Sequence, residues 1–301
     1  MDGGPLRLNA GDFLIARELM QFQNNSGQQE FRWVWEIHEA HEGESDLGDA
    51  PDSTNSFGAA MTAYPWGVPA DYPTVFLAGS PPEGPIHLSP ATVAYLGQTV
   101  TQEWEADIGF DQDPTNNIIP PTNQSDLDLA DDGLLNLPLN LPNCTLTTLK
   151  YLVNVITPSA NLYFNAWADW NRDGDWNDTL TCPSVSAPEW IVKDQILPGL
   201  PAGLNTITTP QFMPWHPSGT ASGTVVEPIW LRITLSEQPW SGTAGSGGSG
   251  PATGYAIGET EDYYFTPRIA GCTSADNDLS GTVDFSDFAW FANQWLTTTV
   301  P

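Results

Sequence analysis

The hydrophobic pattern near the start of the chain is that of two strands joined by a turn. FLIARELMQF and FRWVWEIHE lie on either side of the turn-forming residues NNSG, which predicts a β-hairpin over residues 13–38. The second strand alternates its apolar side chains onto one face: Phe31, Trp33, Trp35 and Ile37. Because a lone hairpin is marginal in water, we expect this segment, residues 1–45, to dock on the main domain or to belong to a region upstream.

From residue 46 onward, short apolar runs alternate with polar connections and show no helical periodicity. The chain contains 27 Gly and 27 Pro, which are residues of turns. Strands of this length and spacing predict an all-β fold, a β-sandwich of antiparallel strands over residues 46–267. The predicted strands are residues 147–156, 161–168, 189–197, 204–212, 229–235 and 262–265.

The stretch SGTAGSGGSGPATG, residues 241–254, has the composition of an interdomain linker. The strand GETEDYYF follows it, however, and must return to the main sheet. We therefore predict a surface loop within the sandwich and not a domain boundary.

The charge of the chain excludes several functions. There are 37 acidic residues against 8 basic ones, a net charge of −29, whereas nucleic acids and anionic membranes require a basic face. No run of 18 apolar residues occurs, so no membrane span is predicted. The residues after Met1 contain neither the basic nor the apolar region of a signal peptide. We expect the chain to be a fragment, or to begin downstream of its true start.

Residues 169–178 read DWNRDGDWND, with an oxygen-bearing side chain at every second position around one glycine. This alternation lets a short loop supply many of the six to eight or so oxygens that Ca²⁺ takes at about 2.3–2.6 Å. Position twelve carries Leu180 instead of a bidentate Glu, so one carboxylate is missing. A solvated acidic turn is the alternative interpretation. The predicted ligands are Asp169, Asn171, Asp173, Asp175 and Asp178.

Two adjacent acids lie in the last predicted strand, which is unusual for a buried β element because an unpaired charge is costly there. We predict that Glu261 or Asp262 approaches the central loop and supplies the missing carboxylate. The alternative is that they cap the strand or pair with Arg172.

The tail, residues 268–301, changes character. DNDLSGTVDFSD has the spacing of an EF-type Ca²⁺ hand, with Gly281 at position six. FSDFAWFANQWL then predicts its exiting helix. The residues that would contribute to this second Ca²⁺ site are Asp276, Asp278, Ser280, Thr282, Asp284 and Asp287.

Three cysteines are too few for a disulfide scaffold. Cys144 and Cys182 flank the middle strand and the acidic loop, and we predict a disulfide between them that leaves Cys272 over. Three unpaired thiols are the alternative.

The 13 tryptophans allow two interpretations. Exposed rings could stack on sugars and form a glycan-binding face, whereas Trp167, Trp190 and Trp230 alternate along predicted strands as core residues do. Trp170 and Trp176 frame the acidic loop and fit either interpretation. No nucleophile with a base is recognisable and no histidine lies in a catalytic context, so we do not expect an enzyme.

Several motifs follow one another in a fixed order: DLGDAPDS (46–53), SDLDLADDG (125–133), NAWADWNRDGDWND (165–178) and GETEDYYF (258–265). Together they resemble the GEVED domain of bacterial secreted and surface proteins. The tail resembles one half of a dockerin, and a single hand does not predict the paired surface that binds a cohesin. The resemblance implies a fold and an extracellular or cell-surface location more than an activity.

These expectations combine into a calcium-stabilised, non-catalytic β-sandwich with an architectural or adhesive role and a surface polysaccharide or protein as partner. The alternative is a glycan-binding accessory module of a larger carbohydrate-active enzyme. A glycan binder should present a planar row of two or three exposed Trp or Tyr rings, whereas an architectural module should bury them. A glycosidase would need two carboxylates about 5–10 Å apart across a cleft.

Overall fold

The computed structural model describes two N-terminal strands and residues 45–53, 61–76, 81–100, 130–158, 161–217, 227–242 and 246–269. Apart from one 3₁₀ turn at Pro90–Thr92, every element of these residues is a strand. In chain order the strands are β1 (Phe13–Gln23), β2 (Gln29–Glu39), β3 (Thr62–Tyr64), β4 (Val68–Pro69), β5 (Ala94–Leu96), β6 (Lys150–Val155), β7 (Asn161–Ala168), β8 (Thr179–Cys182), β9 (Val185–Pro188), β10 (Trp190–Pro198), β11 (Gly203–Thr208), β12 (Ile229–Ser236) and β13 (Gly258–Phe265).

The predicted N-terminal hairpin is present. β1 and β2 pair antiparallel in one continuous register, from Phe13 opposite Glu39 to Gln23 opposite Gln29. The two predicted strands therefore pair with each other, as the sequence pattern required.

Two antiparallel sheets form the body of the fold. One has the order β10-β7-β12-β13 and the other the order β11-β6-β5. Apolar residues of both sheets share one core, in which the ring of Tyr151 on β6 stacks on Phe164 of β7 with 3.7 Å between centroids. The fold is thus all-β and sandwich-like, as predicted. The six strands predicted from residue 147 onward are present with ends shifted by a few residues, whereas β3, β4, β5, β8 and β9 are too short to show a period in the sequence.

The four-stranded sheet is covered on its outer face as well. All eight residues of β12 are buried, because alternate side chains enter two different cores. Ile233 belongs to the core between the sheets, whereas Trp230 packs with Tyr64 and Tyr72 in a second core. Residues 45–53 and 61–76, which are largely irregular, supply much of this outer layer.

Carboxylates hold this irregular layer in place. Asp52 accepts the backbone N–H groups of Thr74 and Val75, both at 3.1 Å, and Asp46 accepts that of Thr260 at 2.8 Å. Buried N–H groups need partners, and a segment outside the sheet ladders must find them elsewhere. Part of the acidic composition is therefore structural.

Residues 246–254 of the Gly-rich stretch pack against the same unit as β13, which follows them. Gly247 donates its N–H to Asn177 and Gly250 donates to the carbonyl of Glu83. The expectation of a surface loop was wrong for residues 246–249, which are buried. A Cβ at Gly247 would lie 2.2 Å from the carbonyl oxygen of Trp176, so the glycine allows close packing here and does not provide a flexible connection.

Within the described parts of the chain, no helix has the length and apolar character needed to cross a membrane. The predicted calcium hand and helix of the tail lie outside the described residues, which end at residue 269. That prediction stays open.

Candidate metal site

The central acidic loop, residues 169–178, begins where β7 ends. Asp169 is fully buried and donates its own N–H to the carbonyl of Trp230 at the start of β12. Its Oδ1 accepts the N–H groups of Arg172 at 2.7 Å and Asp173 at 3.2 Å, and its Oδ2 accepts that of Gly174 at 3.0 Å. Gly174 has φ of 95°, a conformation that glycine adopts without strain. The chain thus wraps tightly around one carboxylate.

Two tyrosines from the outer layer complete the surroundings of that carboxylate. The hydroxyls of Tyr64 and Tyr72 donate to Asp169 Oδ2 at 2.8 and 2.6 Å. Burial, together with the nearby Asp169 charge, raises the pKa of both tyrosines well above the ordinary value, so they remain donors. No local pattern predicts this contact, because the tyrosines lie about a hundred residues earlier in the chain.

Glu189 is the carboxylate that sequence reasoning missed. It is fully buried, and its Oε1 accepts the N–H of Trp170 at 3.0 Å while its Oε2 accepts that of Asp178 at 2.9 Å. One carboxylate oxygen each from Asp169, Asp173 and Glu189 lie within 4.8 Å of one another. The available signal in the sequence was the position of Glu189, an acid directly before the apolar strand WIVKDQIL. The β8–β9 hairpin returns the chain and brings Glu189 to the loop.

This convergence of carboxylates is electrostatically unfavourable without a cation. Burial, reinforced by the charge of Asp169, raises the pKa of Glu189 to about 10. Partial desolvation and the neighbouring Asp175 and Asp169 raise the pKa of Asp173 to about 7, and burial raises that of Asp169. The arrangement therefore favours either bound protons or a bound cation.

The other predicted ligands of the loop surround this group. The side-chain amide of Asn171 donates to Asp173 Oδ2 at 2.8 Å and to Asp178 Oδ2 at 2.6 Å. Asp175 Oδ1 accepts the N–H of Asn177 at 2.8 Å. Asp175 and Asp178 lie outside the three-carboxylate group and occupy the rim of the loop.

Residues 163–266 match the GEVED domain family model. The match runs from within β7 to the residue after β13 and so contains the acidic loop, Glu189 and the closing GETED strand. Comparisons with curated proteins and with solved structures gave no match.

One of the closing acids Glu261 and Asp262 was predicted to complete the loop, whereas both lie outside the three-carboxylate group and have other partners. Glu261 Oε1 accepts the N–H groups of Asp132 and Gly133 at 3.1 and 2.8 Å, and Oε2 accepts the hydroxyl of Tyr263 at 2.8 Å. Asp262 forms an ion pair with Arg232, which lies directly opposite on β12. Alternation along β13 points the two side chains to opposite faces of the sheet, and each finds partners on its own face.

Arg232 and Asp262 form a fully buried hub on the outer face of the sheet. Arg232 Nε and Nη2 donate to the two oxygens of Asp262 at 2.7 and 2.5 Å. Other guanidinium N–H groups reach Thr74, Gly248 and the carbonyl of Pro73. The guanidinium carbon also lies 4.7 Å from the ring centroid of Trp176, so the hub connects the outer layer to the acidic loop.

Arg172, the alternative partner for those acids, is buried beneath the loop with different contacts. Its guanidinium donates to the carbonyls of Trp170 and Glu227 and, at 3.1 Å, to His216 Nδ1. His216 Nε2 then donates to the carbonyl of Leu141 at 2.8 Å. Burial and the Arg172 charge lower the pKa of His216 to about 4, which keeps the ring neutral.

The cysteine pair of the sequence analysis is bonded in the structure. Cys144 and Cys182 form a disulfide with 5.4 Å between their Cα atoms. Cys182 is the last residue of β8, so the bond ties the β8–β9 hairpin to the segment that precedes β6. The remaining cysteine, Cys272, and all predicted ligands of the tail lie outside the described residues.

Proposed function

We propose that this chain is a calcium-stabilised, non-catalytic β-sandwich module that acts outside the cell or at its surface in an architectural or adhesive role. Its cofactor would be Ca²⁺, bound by the central loop. The observation that carries the proposal is the meeting of Asp169, Asp173 and Glu189 within 4.8 Å.

The chemistry of this group favours a hard cation. All three converging donors are carboxylate oxygens, which Ca²⁺ prefers, and the group offers no nitrogen or sulfur for a softer metal. Two of the three carboxylates are buried, where like charges repel strongly unless a cation or protons compensate them. Asn171 now directs its N–H groups at two carboxylates. Rotation of this amide by half a turn would present its oxygen to a cation in the same place.

The buried aromatic residues support an architectural role over the glycan-binding alternative. Of the eight tryptophans whose side-chain environment is described, Trp167, Trp170, Trp176 and Trp230 are almost completely buried. Trp66 is 47% exposed, and its ring lies against Tyr64 at the turn between β3 and β4. A glycan-binding face was expected to present a row of rings, whereas these rings fill the core.

Two further observations support the class of protein proposed. His87 and His216 are buried, both have a pKa lowered to about 4 by burial, and both bond backbone carbonyls. These are structural roles and not those of a general base poised near neutral pH. The disulfide suits an oxidising compartment, where such bonds persist.

The experiment is calorimetric titration of the full chain with Ca²⁺ and, separately, with Mg²⁺, followed by thermal unfolding in Ca²⁺ and in chelator. We expect Ca²⁺ binding that raises the main melting temperature. Asp173→Asn and Glu189→Gln should each weaken this binding strongly. Asp71→Asn is the matched control, because it removes one negative charge from an exposed side chain outside the cluster.

Identical melting profiles in Ca²⁺ and in chelator would reject the proposal for the central loop. The tail is expected to hold a second, independent site and to lose its helix on chelation, since it has little core of its own. Asp276→Ala should remove that tail response and leave the main transition unchanged.

A further inference from the structure

The β8–β9 hairpin connects two acids, Asp178 of the central loop and Glu189 of the three-carboxylate group, to the Cys144–Cys182 disulfide. Asp178 directly precedes β8, and Glu189 directly follows β9. The two residues close the base of the hairpin: Glu189 donates its N–H to the carbonyl of Asp178, and its Oε2 accepts the N–H of Asp178, both at 2.9 Å. The position of the Glu189 carboxylate therefore depends on the position of the hairpin.

The hairpin is joined to the body of the fold at its base, where the carbonyl of Pro188 accepts the indole N–H of Trp170, the carbonyl of Glu189 accepts the N–H of Ala168, and Leu180 packs on the main core. β8 and β9 form a two-stranded sheet of their own, and an isolated two-stranded hairpin is marginally stable. A small apolar cluster of Cys182, Ala187 and Met213 packs along its length, with Cys182 nearest the turn. The disulfide from Cys182 to Cys144 lies at this far end, where Cys144 also donates its N–H to the carbonyl of Pro214. One end of the hairpin thus carries the acids and the other end carries the disulfide.

We propose that the Cys144–Cys182 disulfide positions Glu189 and Asp178 through the β8–β9 hairpin, so that the Ca²⁺ affinity of the central loop depends on the thiol–disulfide state of the protein. This inference rests on the proposed function of the loop. In the oxidised chain the hairpin is fixed at both ends and Glu189 is held against Asp169 and Asp173. In the reduced chain the far end is released, and ordering the hairpin on metal binding costs conformational entropy.

The redox step has a simple balance. An external dithiol attacks the sulfur–sulfur bond, two electrons and two protons pass to Cys144 and Cys182 as two thiols, and the dithiol leaves as a disulfide. Cys182 is buried and Cys144 is half-buried, so attack at Cys144 is the accessible route.

The test compares the oxidised and reduced full chain, both in a Cys272→Ser background that removes the third thiol. Calorimetric titration gives the Kd of the central loop for Ca²⁺ in each state, with Asp276→Ala added to both so that the predicted tail site does not contribute. Loss of groups that orient metal ligands usually weakens metal binding by about 10–100-fold, and we expect reduction to weaken it by about tenfold. The double variant Cys144→Ser with Cys182→Ser should match the reduced chain.

A second measurement reads the position of Glu189 without metal. The N–H groups of Trp170 and Asp178 both donate to Glu189, so their hydrogen-exchange protection in chelator should fall on reduction. Ile207→Ala, on β11 and away from the hairpin, serves as a control for general destabilisation. It should leave both the Kd and the protection of these two amides unchanged.

The outcomes separate the two claims. Equal Kd values and equal amide protection in the oxidised and reduced chains would overturn the inference while leaving the proposed function intact. Absence of Ca²⁺ binding in the oxidised chain would overturn the proposed function and the redox control of affinity together. A drop in affinity in Ile207→Ala as large as that on reduction would also overturn the inference, because global stability would then explain it.

Discussion

The central loop and the closing strand β13 are both rich in acids, and they use them in opposite ways. In the loop, Asp169, Asp173 and Glu189 point toward one another. On β13, neighbouring acids point to opposite faces, and Asp262 meets Arg232 while Glu261 meets backbone N–H groups. Repetition at every second residue around a glycine brings carboxylates together, whereas a strand separates adjacent ones. An acidic motif therefore indicates a cation only when the backbone is curved around a common point.

The comparison also shows two ways to neutralise a buried carboxylate. Asp262 has a guanidinium partner on the adjacent strand. Glu261 has hydrogen-bond donors and a raised pKa of about 8, caused mainly by burial. In the loop the nearest guanidinium, that of Arg172, is bonded to Trp170, Glu227 and His216. Asp169 and Glu189 accept hydroxyl and backbone N–H groups instead, and the remaining repulsion between the three converging carboxylates favours a cation or protons.

The largest expected loss of stability comes from a substitution on β13. Asp262→Asn leaves Arg232 as a buried charge without its counter-ion, and breaking such a pair costs about 3–5 kcal/mol. Asp173→Asn in the loop should cost much less in chelator, because it relieves repulsion. Urea unfolding of both variants in chelator measures the difference, and equal losses would show that the two regions are not distinct in this respect.

The stabilisation by Ca²⁺ should depend on Glu189 but not on Glu261, although both side chains are buried. At a hundredfold excess over Kd, a ligand bound only by the native state adds about 2.7 kcal/mol to the free energy of unfolding. We expect Glu261→Gln to keep this calcium-dependent gain and Glu189→Gln to lose most of it. Denaturant unfolding with and without Ca²⁺ gives both gains, and loss of the gain in Glu261→Gln would return that residue to the metal site.

The pH dependence of the free energy of unfolding should identify Glu261 as a group that binds a proton in the native state. Its folded pKa of about 8 lies above the ordinary value of 4.5, so its contribution to stability is complete below pH 4.5 and is lost as the pH rises through 8. The titratable side chains around the Glu261 carboxyl are those of Glu259, Asp132 and Tyr263. One such group changes stability by up to about 1.4 kcal/mol per pH unit.

The measurement is the free energy of unfolding between pH 6.5 and 8.5 in chelator, compared between Glu261→Gln and the unchanged chain. Both proteins contain the buried histidines and Asp173, so the contributions of those groups cancel in the comparison. Glu261→Gln should flatten the decline relative to the unchanged chain. A decline of the same slope in both proteins would assign the effect to other groups.

The smallest expected effect concerns the aromatic residues beside the loop. Trp66 stacks on Tyr64 with 4.8 Å between ring centroids, and an aromatic pair contributes about 0.5–1.5 kcal/mol beyond its buried area. Trp66→Ala should therefore lower the melting temperature slightly and leave the Kd for Ca²⁺ unchanged, because Tyr64 keeps its bond to Asp169. A strong loss of Ca²⁺ affinity would show that the loop depends on this exposed ring.

Local patterns were sufficient for the regular strands and for part of the loop. The alternation in NLYFNAWA and IWLRITL predicted β7 and β12, because a period of two residues is a property of the strand itself. The pairing of Cys144 with Cys182 followed from their positions on either side of the middle strand, and the structure contains that bond. The short strands β8 and β9 gave no such signal, although they decide where Glu189 lies.

The sequence by itself determined the all-β class, the curved acidic loop and the resemblance to the GEVED family, since all three depend on residues close together in the chain. Tertiary structure alone decided which acids meet. Glu189 reaches the loop because a hairpin reverses the chain, and Asp262 meets Arg232 because β12 and β13 are in register. Residues 246–249 of the Gly-rich stretch are buried because Trp176 packs against them. Such contacts depend on strand pairing and layer packing over many residues, and no local spacing encodes them.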